Sequence, residues 1–180
     1  FGNMTSLNNR IESELADRII EIHPYYDMVR YFKGGGEALA AAVRVARTNT
    51  GKTKVISIGY NGWTDFWLAG NLENNNKITS HLNLTTHAGV PQGLTGTNKF
   101  SEHNDDGMLF DILVQNNYNI AAIVFEYARY EKPNEEFLKV LRHAQAAGII
   151  LIADEVTTGW RYRFGGMHKD YQNIFTPDMI

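Results

Sequence analysis

Acidic side chains close two apolar segments of this sequence. Glu126 ends the segment IAAIVFE, and Asp154 and Glu155 end the segment IILIADE. If both segments are parallel strands, their carboxyl ends meet at one edge of a sheet, which is where open α/β sheets bind their ligands. The sequence therefore predicts a polar site in which these carboxylates lie within reach of one small molecule.

Three consecutive glycines, Gly34, Gly35 and Gly36, directly precede an alanine-rich stretch with the pattern of a helix. Unpaired N–H groups and the positive end of the helix dipole favour an anion at a helix start, and glycine lets a phosphate approach those donors closely. We predict a phosphate at these glycines and Asp154 at the opposite end of the same ligand. The glycines also fit a tight turn before a closely packed helix, and the residues alone leave both interpretations open.

A strand, a helix and a second strand are predicted to position the two carboxylates. Residues 53 to 59, 120 to 126 and 149 to 155 are short apolar runs typical of buried strands. Between the last two runs, Asn134 can cap a helix that continues through Ala147. Two strands that are apolar throughout and joined by a helix form a βαβ unit in a parallel sheet covered on both faces, so the predicted fold class is α/β.

Three further helices and one long loop complete the expected chain. Apolar residues at helical spacing predict an amphipathic helix over residues 7 to 22, with Ser6 available as its cap. The alanine-rich pattern of residues 37 to 47 predicts a helix that packs closely on several sides. Apolar residues at helical spacing predict another helix over residues 106 to 117. Residues 70 to 104 are rich in Asn, Thr and Gly, and we expect a loop with short irregular elements there.

Composition limits the class of protein. The chain has 180 residues, of which 43% are hydrophobic, and this predicts one domain over residues 1 to 180. A net charge of −3 with scattered basic residues argues against a nucleic-acid partner. No apolar run approaches the roughly 20 residues that cross a bilayer, and cysteine is absent, so we expect no membrane segment and a cytoplasmic location. The six histidines show no metal-binding spacing, and no metal site is predicted.

A nucleotide-binding loop is the first alternative for the anion site. Residues 50 to 53 read TGKT, as at the end of a P-loop, and IILIADE resembles the strand and acid of a Walker B segment. The P-loop pattern needs glycine where this sequence has Ala46, and its lysine begins a helix, whereas this GKT follows one. The sequence therefore disfavours a P-loop.

A longer set of spaced motifs has a family resemblance. The stretch DMVRYFKGGGEALAAAVRVARTNTGKTKVISIGYNGWTDFWLAGNL, residues 27 to 72, resembles the corresponding part of class III pyridoxal-phosphate aminotransferases. IAAIVFE and LIADEVTTGWR resemble two later strand ends of the same fold, and the similarity is closest to the glutamate-1-semialdehyde aminomutase branch. The resemblance implies the large domain of a fold-type-I enzyme that transfers an amino group between a small-molecule amino donor and a carbonyl compound, as a homodimer.

The resemblance also implies a role for each candidate residue. Gly35 and Gly36 match the turn whose backbone donors hold the phosphate of pyridoxal 5'-phosphate. Tyr60 matches the aromatic residue on one face of the cofactor ring, and Val156 matches the aliphatic residue on the other face. Asp154 matches the catalytic acid that pairs with the ring nitrogen and keeps it protonated, so that the ring can accept electrons.

Glu126 matches an acid on the substrate side of the family's site. It fits nearly as well a structural ion pair with Arg129 or Arg161. The other assignments have structural alternatives too. Tyr60 also fits an ordinary aromatic residue at a strand end, Asp154 a local cap, and Val156 a buried core residue.

Three departures from the family pattern are visible. The family's turn usually carries a hydroxyl or amide side chain where this sequence has glycines 34 to 36, and Asn61 replaces the usual histidine. The Schiff-base lysine of the family follows the Thr-Pro-Asp step by a few residues, which would place it after Ile180. We therefore expect the chain to be a fragment of a longer enzyme that is inactive by itself; the alternative is a non-catalytic relative acting as an interaction or structural module.

Overall fold

The computed structural model describes residues 9–73 and 88–180, which belong to two compact units. The first unit, Phe1–Phe32, contains helix α1, Arg10–Ile22. The second unit, Lys33–Ile180, contains every other described helix and strand. No helix of the described residues combines the length and the apolar character needed to cross a membrane.

Helix α1 begins with a capping box. The side chain of Asn9 accepts a hydrogen bond from the first turn, and the side chain of Glu12 accepts one from the Asn9 N–H. The helix therefore starts at Arg10, later than predicted, because Asn9 supplies the cap that the prediction assigned to Ser6; Ser6 and Leu7 lie outside the described residues. The predicted end at residue 22 is confirmed.

Four parallel strands form the sheet that the structure describes in the second unit, in the order β2-β1-β3-β4. Along the chain the elements are α2 Gly35–Thr50, β1 Val55–Ile58, α3 Asp65–Leu68, β2 Asn98–Ser101, α4 Asp106–Gln115, β3 Ala122–Phe125, α5 Glu135–Ala146 and β4 Ile150–Ala153. Beyond the outer edge of β4, Met179 forms a parallel bridge with Ile152. The predicted α/β class and the βαβ unit β3-α5-β4 are confirmed.

Each face of the sheet carries its own core. Alternate strand residues such as Ile123 and Phe125 pack with α4 and α5, whereas Ala122 and Val124 pack with α2 and α3. This alternation follows from the two-residue period of a strand. Helices therefore cover both faces, as the continuous apolar runs predicted.

Strand β2 and the short helix α3 were not predicted from the sequence, and β2 is the one strand of the described sheet among them. It lies at the edge of the sheet inside the segment predicted to be a loop, residues 70 to 104, of which 74 to 87 lie outside the described residues. Its sequence, NKFS, lacks a strand pattern, and the strand is held by pairing with β1 and by a hydrogen bond from Asn98 Nδ2 to the Trp67 carbonyl. Tertiary pairing thus decides its conformation.

The order of the strands creates a switch point. From β1 the chain runs outward to β2 and then returns to β3 on the other side of β1. Connections that leave β1 and β3 on opposite sides open a crevice between their carboxyl ends, and ligands bind in such crevices. The residues at this point are Gly59 and Tyr60 after β1 and Glu126 after β3.

Candidate functional site

A cleft of about 680 Å³ lies at the carboxyl edge of the sheet. Its walls come from the start of α2, the loop after β1, and the residues that follow β3 and β4. All six candidate residues of the sequence analysis line this one cleft: Gly35, Gly36, Tyr60, Glu126, Asp154 and Val156. The roles of these residues remain predictions, but the fold does bring them together.

Helix α2 starts two residues earlier than predicted, at Gly35, with Gly34 as its N-cap. The first intrahelical bond runs from the Ala38 N–H to the Gly34 carbonyl, so the N–H groups of Gly35, Gly36 and Glu37 have no acceptor within the helix. Gly34 supplies no capping side chain. Three backbone donors and the positive end of a 16-residue helix are therefore available to an anion in the cleft.

Packing against protein atoms explains two of the three glycines. A Cβ atom on Gly35 would lie 2.7 Å from Val156 Cγ2, and one on Gly36 would lie 3.3 Å from Thr64 Cγ2. A Cβ atom on Gly34 would meet no atom of the described residues within 4 Å. The tight-packing interpretation is therefore correct for Gly35 and Gly36, and it coexists with the open donors beside them.

The loop after β1 packs directly against the first turn of α2. A Cβ atom on Gly62, whose φ is +90°, would lie 2.7 Å from the Cα atom of Gly36. This close approach brings in Thr64, whose Oγ1 is buried and has no hydrogen-bond partner among the described residues. Sequence reasoning missed Thr64, because nothing in the sequence places its hydroxyl beside the glycine run.

Asp154 is buried at the base of the cleft, with 5% of its surface exposed. Its Oδ1 accepts from the Val156 N–H at 3.1 Å, which is a local cap, and its Oδ2 accepts from Asn61 Nδ2 at 3.2 Å. Burial raises the pKa of Asp154 to about 6, although the hydrogen bonds from Val156 and Asn61 act to lower it. No ion pair with Asp154 exists within the described residues.

Tyr60 is held from two sides. Its ring meets the ring of Trp67 edge-on, with 5.1 Å between centroids, and the Trp67 indole N–H donates to the Gly59 carbonyl at 3.1 Å. The guanidinium of Arg129 lies 5.6 Å from the centroid of the Tyr60 ring. Tyr60 therefore forms a wall of the cleft, in contact with Trp67 and with the guanidinium of Arg129.

Glu126 forms the predicted ion pair with Arg129. Nε and Nη2 of Arg129 donate to the two carboxylate oxygens at 2.9 and 3.0 Å, and the Tyr60 N–H also donates to Glu126 at 3.3 Å. A Cβ atom on Gly59 would lie 2.5 Å from Glu126 Oε2, so this approach requires glycine. Arg129 itself lines the cleft, although the sequence named it only as a partner of Glu126.

Glu155 does not face the cleft. Its carboxylate accepts from the Thr158 hydroxyl, from the N–H groups of Met167 and His168, and from His168 Nδ1, at 2.7 to 2.8 Å. Burial acts to raise the pKa of Glu155, but these hydrogen bonds outweigh it and hold the pKa below its usual range. Glu155 thus fastens the loop that carries Val156 into the cleft.

The P-loop alternative fails on geometry. Gly51, with φ of +67°, is the C-cap of α2, so the GKT segment follows the carboxyl end of a helix. That end carries the negative pole of the helix dipole and offers carbonyl groups, which repel phosphate.

Comparison with known proteins agrees with this architecture. The family model described as "Aminotransferase class-III" matches residues 1–180. The chain belongs to the class-III aminotransferase family. The family predicted from the spaced motifs is therefore confirmed.

Relatives in this family cover most of the chain. The protein named glutamate-1-semialdehyde 2,1-aminomutase of Thermus thermophilus is 36% identical over 162 residues, which are 87% of this chain and 37% of that protein. The protein of the same name from Ignicoccus hospitalis is 35% identical over 180 residues, covering 95% and 41%. The chain thus spans about two fifths of the length of these curated relatives.

Solved structures share the fold. An omega-transaminase from Sphaerobacter thermophilus matches with a TM-score of 0.79 and 26% identity, over 97% of this chain and 41% of that one. A glutamate-1-semialdehyde-aminomutase from Pseudomonas aeruginosa PAO1 matches with a TM-score of 0.71 and 19% identity, over 98% and 38%. The chain therefore shares its fold with these transaminase structures.

Proposed function

We propose that the complete protein transfers an amino group between a small-molecule amino donor and a carbonyl compound, with pyridoxal 5'-phosphate as its cofactor. The observation that carries this proposal is the meeting, in one cleft, of the open start of α2 at Gly35 and the buried carboxyl of Asp154. The names of the relatives extend it to two reaction types, aminomutation and transamination.

The residues present fit the cofactor at both of its ends. The N–H groups at the start of α2 and the unpartnered Thr64 hydroxyl suit a phosphate, and they replace the side-chain donor that the glycine run lacks. Asp154 is a desolvated carboxyl without an ion pair among the described residues, and a protonated ring nitrogen would supply the missing cation. When bound, the cofactor supplies a ring that accepts electrons from a bond broken at the substrate carbon.

Asp154 would hold a proton at the ring nitrogen. A cation beside a carboxyl lowers the pKa of that carboxyl, so Asp154 would be ionised in the loaded site although burial alone raises its pKa to about 6. Asn61 donates to Oδ2 and thereby fixes the orientation of the carboxylate. Because Asn61 is uncharged, it can orient the Asp154 carboxylate but cannot replace the protonated ring nitrogen as its ion-pair partner.

Tyr60 and Val156 would form the two walls that enclose a flat ring. The edge-on contact with Trp67 holds Tyr60 in place, and the hydrogen bonds accepted by Glu155 hold the loop that carries Val156. Both walls are therefore in position before a ligand binds. The two walls would also shield the faces of the ring from water. Glu126 and Arg129 form a polar part of the cleft wall separate from Asp154 and the start of α2. There they would bind the polar part of the substrate.

We further propose that residues 1 to 180 belong to one partial large domain, and that the complete protein is a cytoplasmic homodimer. The absence of cysteine and of a strongly basic composition supports a soluble metabolic enzyme that uses small molecules. The family resemblance supports the dimer. Size-exclusion chromatography with light scattering on the complete protein tests it, and a monomer would contradict it.

The experiment that tests the function uses the complete protein. Purified protein is mixed with pyridoxal 5'-phosphate, dialysed, and examined for retained visible absorbance and circular dichroism of the cofactor. The loaded protein is then assayed with glutamate-1-semialdehyde and, separately, with an amine and a 2-oxo acid. Retained cofactor with turnover in either assay is expected. Cofactor that is lost on dialysis would contradict the proposal and favour a non-catalytic relative.

A further inference from the structure

Arg129 is the one cation among the described residues that line the cleft. Its guanidinium lies 5.6 Å from the centroid of the Tyr60 ring, which is itself a wall of the cleft. The Arg129 side chain keeps 29% of its surface exposed, whereas the side chain of its partner Glu126 keeps 5%. The part of this ion pair that a molecule in the cleft can contact is therefore mainly the guanidinium.

The ion pair uses only one edge of the guanidinium. Nε and Nη2 of Arg129 donate to Oε2 and Oε1 of Glu126, at 2.9 and 3.0 Å. Because a guanidinium has five N–H donors, Nη1 and the second N–H of Nη2 lie outside this pair and form a second fork. Two parallel N–H groups of this kind match the two oxygens of a carboxylate.

The backbone after β1 also holds Glu126, so the pair does not depend on Arg129 alone. The Tyr60 N–H donates to Glu126 Oε2 at 3.3 Å, and the same oxygen packs against Gly59 so closely that a Cβ atom there would lie 2.5 Å away. Glu126 in turn keeps the guanidinium in one orientation. The Tyr130 side chain also accepts a hydrogen bond from Arg129, but Tyr130 is 94% exposed, so a ligand can replace it at little cost.

The two other acids that line the cleft do not occupy Arg129. Asp154 would face the protonated ring nitrogen of the bound cofactor. Glu37 lies in the first turn of α2, where it accepts a hydrogen bond from the Lys33 N–H at 3.3 Å. A partly desolvated guanidinium with donors to spare favours an anion, which would share Arg129 with Glu126.

We propose that Arg129 determines substrate specificity by binding the carboxylate of a carboxylate-bearing amine through its Nη1/Nη2 edge, while Glu126 positions the guanidinium from the other edge. The proposal rests on the proposed function, because that function places the amino group of the substrate at the cofactor in the same cleft. An amine without a carboxylate leaves the second fork of Arg129 unused and binds more weakly.

The first test uses the complete protein loaded with pyridoxal 5'-phosphate and four pairs of amines. Alanine, β-alanine, 4-aminobutyrate and 5-aminovalerate are each compared with the amine in which a methyl group replaces the carboxylate. Single-turnover changes in cofactor absorbance give the apparent affinity of each amine. We expect the acid to bind about tenfold more tightly in at least one pair, as a charge-assisted hydrogen bond predicts. No preference for the acid in any pair would overturn the proposal.

Substitutions distinguish recognition of a carboxylate from a purely structural ion pair. Arg129→Gln should bring the ratio of affinities within the favoured pair close to one, and Arg129→Lys, which keeps the charge without the fork, should keep only part of it. Glu126→Gln removes the carboxylate that shares the guanidinium, so it should preserve the ratio or raise it. The same effect from R129Q and E126Q is the result of a structural pair and would overturn the proposal.

Two further variants control for folding and for loss of an arginine. Because R129Q leaves Glu126 buried without its ion-pair partner, the double variant E126Q/R129Q is measured as well, and its ratio should also be close to one. Arg18→Gln removes an arginine from an equally spaced i,i+3 pair, with Glu21 on α1, and should keep the full ratio. A preference for the acid that survives in E126Q/R129Q would contradict the role of Arg129.

A binding measurement without turnover separates this inference from the proposed function. Ligand-observed NMR of valerate with the complete, cofactor-free protein should show binding that is lost in R129Q, and pentanol should not bind. Valerate that binds the wild type and R129Q alike would lie at the start of α2 and would overturn the inference. If the cofactor is not retained but valerate binding depends on Arg129, the proposed function is wrong while Arg129 is still a carboxylate-binding residue. If the cofactor is retained and amines react without any preference for a carboxylate, the inference is wrong and the proposed function stands.

Discussion

Asn61 Nδ2 donates to Asp154 Oδ2 across 3.2 Å, and both side chains are buried. The bond joins the loop after β1 to the residue that follows β4, two strands apart in the sheet order. It provides Asp154 with a neutral donor and no charge, so the carboxyl keeps the pKa of about 6 that burial imposes. A carboxyl in this state stabilises or destabilises the protein according to pH.

Replacement of Asp154 by Asn tests this pH dependence in the cofactor-free protein. The pKa of Asp154 in the folded state, about 6, lies above its ordinary value of 3.8, so the folded state binds the proton more tightly than the unfolded state does. The contribution of Asp154 to stability is therefore complete below about pH 4 and is lost as the pH rises through about 6, a loss of about 3 kcal/mol. Urea unfolding across this range should show the free energy of unfolding of the wild type falling relative to D154N. A difference that stays constant with pH would contradict the assignment.

Substitution of Gly35 by Ala tests the contact with Val156. The new Cβ atom would lie 2.7 Å from Val156 Cγ2, and overpacking of this kind costs about 1–3 kcal/mol of unfolding free energy. Val156→Ala removes the obstructing methyl groups, so the double variant G35A/V156A should recover most of the loss. Gly34→Ala is the matched control, because its Cβ atom would meet no atom of the described residues within 4 Å and its φ of −137° suits any residue. Equal effects of G34A and G35A in chemical unfolding would show that the close packing is not the cause.

Glu155→Gln tests whether the hydrogen bonds accepted by Glu155 stabilise the loop that carries Val156. The carboxylate accepts four hydrogen bonds, and loss of its charge should cost about 2 kcal/mol of unfolding free energy near neutral pH. Because its folded pKa is depressed, this contribution is present above the ordinary pKa of 4.5 and is lost as the pH falls through the folded value, opposite in sign to Asp154. Glu136→Gln, in an exposed pair with Lys139, should change stability by less than about 1 kcal/mol. An E155Q protein as stable as E136Q at neutral pH would show that the hydrogen bonds accepted by Glu155 do not stabilise the fold.

Thr64→Val tests whether the unpartnered hydroxyl serves the phosphate. Valine keeps the shape of threonine, so the fold should be unaffected while the affinity for pyridoxal 5'-phosphate falls about tenfold. Affinity for pyridoxal, which lacks the phosphate, should not change, and this difference assigns the effect to the phosphate end. Thr48→Val, at a hydroxyl that bonds to the Arg44 carbonyl on the surface of α2, is the control for loss of a threonine hydroxyl. Equal losses for both ligands in T64V would point to altered packing instead.

Local pattern was sufficient for the elements with one dominant periodicity. The apolar runs before Glu126 and Asp154 are strands β3 and β4, and Asn134 caps α5 through its bond to the Phe137 N–H, as predicted. A strand that is buried on both faces is a continuous run of apolar residues in the sequence, and a helix cap is a polar residue directly before the first turn. Strand β2 has no such run, because an edge strand with polar residues is stabilised by its neighbour.

The sequence by itself determined the α/β class, the family and the set of six residues that line the cleft, because strand ends and glycine runs are written locally along the chain. Only the tertiary structure decided which groups meet there. It places Thr64 beside Gly36, couples Asn61 to Asp154, and turns Glu155 away from the cleft. These relationships join residues on different elements, and their distances follow from packing across the sheet, which no local pattern records.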